Sequence, residues 1–149
     1  MANFSLAKGR SNARKKAMQA LYQWSMSGNE LKDIEVQFQT EQDMSKVDTD
    51  YFHNLLFEVP KNLNDLDEKL APIMTDRKDD ELDPVEQAIL RISTYELLHR
   101  LDVPYQVVIN EAVDLALSFG ADQSHKFING VLDKLAHELR KIEIESQKK

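Results

Sequence analysis

Apolar residues recur at spacings of three and four through most of the chain, the period of α-helices with one buried face. The densest stretch runs from Asp83 to Leu101. Val85, Ala88, Ile89, Ile92 and Tyr95 make one stripe, and Leu90, Leu97, Leu98 and Leu101 make a second. A surface helix needs a single stripe, so this one is expected to be the central helix of an all-α domain, buried among several neighbours. Its start is written in the residues: Asp83 to accept from first-turn amides, Pro84 where a missing N–H costs nothing, and Glu86 at the capping-box position. Neither Gly nor Pro follows until Pro104, which predicts an end near Leu101.

Upstream, the pattern predicts a helix over 11–27 stopped by Gly28 and a shorter one over 31–42. Asp48 caps a third, carrying Tyr51, Phe52, Leu55, Leu56 and Val59. Pro60 lacks an N–H and clashes with the Leu56 carbonyl, which predicts a kink or break there. Leu63, Leu66 and Leu70 resume the pattern up to Pro72, and 75–82 reads as a junction. Downstream, 106–119 predicts a helix ended by Gly120. A last long helix starts at Asp122 or Ser124, with Phe127, Ile128, Val131, Leu132, Leu135 and Leu139 inward. Gly130 within it predicts close helix packing, since Gly costs about 1 kcal/mol there relative to Ala. Residues 142–149 are expected to fray. The result is an all-α chain of about seven helices over 1–149, either one compact domain or two small halves, about 1–78 and 79–149, that share an interface.

Composition narrows the chemistry. An apolar fraction of 42% over 149 residues supports a true core. The absence of Cys removes disulfides and thiolate chemistry and fits a reducing cytoplasm. No apolar run approaches the roughly 18 residues of a membrane span, and the basic N-terminus lacks the apolar segment of a signal peptide. Glu96 and His99 form a lone Glu-x-x-His pair, where a carboxylate di-iron site needs two. No Gly-x-Ser-x-Gly, Walker or dinucleotide-binding loop occurs. The chain is therefore expected to be non-catalytic, without metal or cofactor.

Charge points to binding instead. The net charge is −7, yet residues 1–29 hold Lys8, Arg10, Arg14, Lys15 and Lys16 and no acid. That segment is +5, so the remainder is −7 − 5 = −12. A concentrated basic end on an acidic protein is suited to an anionic partner. On the first helix, Ala13, Ala17, Ala20, Leu21 and Trp24 share one side, while Ser11, Lys15, Met18, Gln19 and Tyr22 share the other. A basic helix with an outward aromatic suits single-stranded nucleic acid: cations offset phosphates and the ring stacks on an unpaired base. The alternative is that Tyr22 packs on a neighbouring helix. His125, Lys126 and Phe127 lie in the first turn of the last helix, where amides favour a phosphate; Phe127 also fits the core stripe. Asp76, Asp79, Asp80 and Glu81, with Glu86 just beyond, form either a solvated loop or an acidic partner site.

At these residues the chain resembles the NusB family of bacterial transcription antitermination factors. The resemblance spans nearly the whole length. It is carried by Ala17-Met18-Gln19-Ala20-Leu21-Tyr22, Ala88-Ile89-Leu90-Arg91-Ile92 with Tyr95-Glu96-Leu97, Val103-Pro104-Tyr105, Ile109-Asn110-Glu111-Ala112, and the run from Ser124 to Asp133. It implies a compact all-α bundle of two packed helical halves, and binding of boxA RNA, a single-stranded element of leader transcripts, notably those of ribosomal RNA operons. It also implies a heterodimer with the ribosomal protein NusE, and assembly with RNA polymerase and other Nus factors to suppress termination. Carried onto matching positions, Arg10, Arg14, Lys15, Lys16, Gln19, Tyr22, Ser124, Lys126 and Phe127 would touch RNA, and Asp79, Asp80, Glu81 and Glu86 would face NusE. Two departures stand out: Ser11 and Asn12 interrupt the family's arginine-dense N-terminus, and Pro60 falls in the third helix. Against this reading stand a protein-only adaptor, whose basic helix docks on an acidic partner, and a duplex-DNA module. An apolar patch left open would support weak self-association of the free protein.

Overall fold

The computed structural model describes residues 5–74 and 82–148. Among these are eight α-helices and no strand. By packing, the chain divides into two units, Met1–Lys61 and Asn62–Lys149. The division falls just after Pro60, ahead of the acidic junction, because the helix that follows Pro60 packs on the central helix.

The first unit holds α1 (Leu6–Ser27), α2 (Leu31–Glu41) and α3 (Thr49–Lys61), each packed on the other two. The α1 helix begins earlier than periodicity suggests. Ser5 supplies the cap, its hydroxyl accepting from the Lys8 N–H at 3.1 Å. The α2–α3 connector then ties down the first turns: the Asp48 N–H donates to the Gly9 carbonyl at 3.0 Å, and Asn12 Nδ2 to the Lys46 carbonyl at 2.9 Å. Asn12, an interruption in the basic run, is thus an anchor. Gly28 ends α1 at φ 71°, in the left-handed region that glycine favours. Asp48 caps α3 through the Tyr51 N–H at 3.1 Å. Pro60 sits in the last turn of α3, and the expected break follows.

The second unit holds α4 (Leu63–Leu70), α5 (Pro84–His99), α6 (Tyr105–Phe119), α7 (Ser124–Leu139) and α8 (Lys141–Gln147). The α5 helix packs against α4, α6 and α7, so it is the centre of this unit. Asp83 caps it through the Glu86 N–H at 2.8 Å. Its buried hydroxyls stay satisfied by bonding back along the helix, Ser93 to the Ile89 carbonyl and Thr94 to the Leu90 carbonyl. Arg91 grips Asp67 of α4 with two hydrogen bonds, at 3.0 and 3.1 Å. Gly120 has an ordinary negative φ, but a Cβ there would lie 2.7 Å from the Ala116 carbonyl oxygen and 3.1 Å from Ser124. Only glycine fits between the end of α6 and the start of α7.

Two readings of the chain's end change. Leu101 is 69% exposed, outside the apolar stripe, because α5 stops at His99. Residues 141–147 form α8, with Ile144 buried, where a frayed tail was expected. Both trace to Arg140, which is 4% exposed. Its Nε donates to the Leu97 carbonyl at 2.7 Å and its Nη2 to the Glu96 and Arg100 carbonyls at 3.1 and 3.0 Å. Its Nη1 donates to the Val103 carbonyl at 2.9 Å and to Glu143. The other oxygen of Glu143 accepts from the Tyr105 N–H at 3.0 Å, capping α6. One guanidinium thus closes the C-terminal end of α5 and starts α8. Arg140→Ala leaves those carbonyls without their donor and is expected to lower stability by about 3 kcal/mol or more. Arg140→Lys, with fewer donors, recovers only part. Urea unfolding curves for the two variants check both.

Candidate nucleic-acid interface

In the first unit, Lys15, Gln19 and Tyr22 follow one another at spacings of four and three along α1, so the helix repeat puts them on one flank. Lys15 is exposed, Lys16 and Gln19 are half-buried, and Tyr22 is 39% exposed. They line an open groove of about 620 Å³ between α1 and α2. Its far wall is Phe38 of α2 and Gln42 just past the end of α2, and it runs on past Tyr22 to Met26. Two bonds hold the walls together: Lys16 Nζ to Gln42 Oε1 at 2.6 Å, and Gln23 Nε2 to Gln37 Oε1 at 2.9 Å. Beyond Gln42, the Asp43 carboxyl is held below the ordinary carboxylate value, first by the Ser45 hydroxyl and then by the Ser45 amide, with Lys46 and Lys16 adding favourable charge. The groove offers the Tyr22 ring, two ammonium groups and the amide side chains of Gln19, Gln23 and Gln42, which is equipment suited to a stacked base beside phosphates.

The arginines stand elsewhere on the helix. The Arg10 guanidinium lies 4.5 Å from the centre of the Tyr51 ring and that of Arg14 lies 5.4 Å from it. This is cation–π packing against α3. Arg14 is only 3% exposed, so its side chain is packed away from solvent and not presented for the RNA contact that the family resemblance implies. Met18, placed on the wet face by the helical wheel, is also buried. The wheel assumes one packing neighbour, whereas α1 has two, α2 and α3.

In the second unit, Ser124 opens α7 but is 2% exposed. Its hydroxyl donates to Glu86 Oε2 at 2.7 Å, and Glu86 is itself 3% exposed. Neither side chain is presented to solvent, so the expected outward roles of Ser124 toward RNA and Glu86 toward a protein give way to an internal bond. First-turn amides are partly used as well: the Ser124 N–H donates to the Ala121 carbonyl and the Lys126 N–H to that of Gln123. Gln123 takes a left-handed φ of 68° to make this turn. Lys126 is exposed and Phe127 half-buried. Together they line a smaller groove of about 180 Å³, with Ile73 and Met74 opposite and Gly130 and Lys134 further along α7. The Gly130 backbone is exposed, and a Cβ there would meet no described atom within 4 Å. Among the described residues, close helix packing is therefore not what Gly130 serves. Asp79, Asp80 and Glu81 lie outside the described residues.

Sequence reasoning missed Gln42, Phe38 and Met26, because pairing of α1 with α2 is visible only in space. Lys134 could have been found: it follows Lys126 by eight residues, about two turns, on one flank. Among the described residues no helix is long and apolar enough to cross a membrane. The Ser124–Glu86 bond generates a test. Ser124→Ala leaves a buried carboxylate one donor short and is expected to destabilise by about 1–3 kcal/mol. A lowered urea midpoint with an unchanged slope would register it.

The sequence profile of the NusB family matches residues 11–137. The transcription antitermination protein NusB of Saccharophagus degradans is 56% identical over 142 residues, 95% of each chain. Among solved structures, NusB of T. maritima has a TM-score of 0.74 at 30% identity, covering 87% of this chain and 91% of that one. A chain from a crystal structure of antitermination factors NusB and NusE in complex with dsRNA has a TM-score of 0.71, covering 87% of this chain and 96% of that one. At 22% identity, that last likeness is one of fold.

Proposed function

The chain belongs to the NusB family, and from that premise we propose that it is a non-catalytic transcription antitermination factor. It binds single-stranded boxA RNA of leader transcripts, notably those of ribosomal RNA operons. It does so as a heterodimer with the ribosomal protein NusE, and the pair joins RNA polymerase and other Nus factors. The observation that carries the RNA reading is the Tyr22 ring, open to solvent beside Lys15, Lys16 and Gln19 in the α1–α2 groove. An aromatic ring left at a groove's edge among cations is suited to stack a base while the cations offset phosphates.

Roles divide between contact and positioning. Lys15, Lys16, Gln19 and Tyr22, with Lys126 and Phe127 on the other unit, are the contact residues. Arg10 and Arg14 supply charge from behind while packed on Tyr51. Ser124 and Glu86 hold the first turn of α7 in place for Lys126 and Phe127. The acidic run Asp79, Asp80 and Glu81 is proposed to meet NusE on the strength of its charge alone, since it lies outside the described residues.

Fluorescence anisotropy with a labelled boxA RNA, with and without NusE, tests this. Each phosphate neutralised should steepen the salt dependence by roughly 0.7 in log–log slope. Tyr22→Ala is expected to weaken RNA binding by about 1–3 kcal/mol, roughly 5- to 150-fold, while leaving the thermal midpoint unchanged. Full-strength RNA binding by that variant would defeat the stacking role. Absence of RNA binding, with NusE still captured, would favour a protein-only adaptor.

A further inference from the structure

Mid-helix glycine is unfavourable, and α7 contains one at Gly130 whose missing side chain no described part of this molecule requires. The position faces solvent. A bare stretch of helix backbone on a surface has one asset, which is that something outside can come closer to it than any Cβ would allow.

The neighbours indicate what that is. Lys126 stands one turn before Gly130 and Lys134 one turn after it, and all three line the same groove. Four residues of helical rise separate each pair, about 6 Å, so the two lysine Cα atoms are about 12 Å apart along the axis. Both lysines are exposed, and neither ammonium makes a hydrogen bond or ion pair among the described residues. Phe127, half-buried, sits at the start of the groove. Acids near this flank are Asp133, which lies 3.9 Å from His137, and Glu138, one turn beyond Lys134. Lys126, Gly130 and Lys134 themselves hold two positive charges and no acid.

We infer that a single-stranded RNA backbone crosses α7 at Gly130, its phosphates held by Lys126 on one side and Lys134 on the other. The missing side chain lets the sugar-phosphate chain lie against the helix. This extends the RNA path from the first turn of α7 along the helix for about two turns, and it rests on the RNA-binding reading above. A protein strand laid on the same bare backbone is the competing occupant. The flanking ammonium pair favours the polyanion.

The two sides of the inference separate experimentally. Gly130→Ala and Gly130→Met both improve helix propensity, so each should raise the thermal midpoint, by about 2–4 °C for a change of this size. The same substitutions should weaken binding of labelled single-stranded boxA RNA, Met by about tenfold and Ala by less, since a closer approach is what they block. Lys134→Ala should flatten the log–log salt slope by about 0.7. A more stable protein that binds RNA less well is the expected signature. Wild-type affinity and slope in all three variants, with Tyr22→Ala weakened in the same assay, would overturn the crossing and leave the proposed function standing. Loss of NusE binding by Gly130→Met with RNA binding intact would overturn it in favour of a protein surface. Failure of the unaltered protein to bind the RNA would remove both readings.

Discussion

The last turn of a buried helix poses a problem that apolar packing cannot solve, because its final carbonyls have no partner within the helix. At the end of α5 the solution is a single side chain from 40 residues away. Arg140 has five N–H donors, and five acceptors surround them: the carbonyls of Leu97, Val103, Glu96 and Arg100 and the Glu143 carboxylate. Taking a guanidinium out of water is costly unless every donor is met. Here every donor is met, and the positive charge also lies at the negative end of the α5 dipole. The same residue ends α7 and precedes α8, while Glu143 caps α6. Four helix ends of the second unit thus converge on one ion pair.

The α5 N-terminus follows the same rule with functional consequence. Glu86 is buried, and Ser124 donates to it. This bond fixes the first turn of α7 to the first turn of α5, and with it the origin of Lys126 and Phe127. A carboxylate that looks like a partner contact in one dimension acts in three as a post for the first turn of α7. The turn that carries the candidate residues Lys126 and Phe127 is therefore braced from inside by two buried side chains.

Much of the fold was legible, for a physical reason: the helix period is local, and stripes such as Ile89, Ile92 and Tyr95 report burial without needing to know what covers them. Caps at Asp48 and Asp83 and the stop at Gly28 were legible on the same ground, since each involves residues within one turn. What escaped depends on contacts between distant positions. Arg14 belongs to Tyr51 and not to solvent, Met18 is covered although its wheel position looks wet, and α8 exists because Arg140 finds carbonyls on α5. Gly130 was read as a packing residue because a helical glycine usually has a close neighbour; the open space over it appears only in coordinates. Of the candidate site, the Lys15–Gln19–Tyr22 flank was visible as a spacing, but the α2 wall that makes it a groove was not.

The sorting of cations on α1 separates two tasks that a basic helix is often asked to do together. Arginine suits stacking on an aromatic face and multiple bonds at low exposure, and Arg10 and Arg14 are spent there, on Tyr51. Lysine is a strongly hydrated point charge on a flexible stem, and Lys15 stays in solvent. Packing the arginines does not remove their charge from the field, because screening acts over about 8 Å at physiological salt. Residues 1–29 therefore remain +5 against a remainder of −12. A net −12 over residues 30–149 disfavours a polyanion there on average, and the +5 of residues 1–29 favours one. Attraction of this kind carries no base preference. In the proposed RNA-binding role, base selection would rest on what the α1–α2 groove holds, where the exposed Tyr22 ring lies beside Lys15 and Lys16.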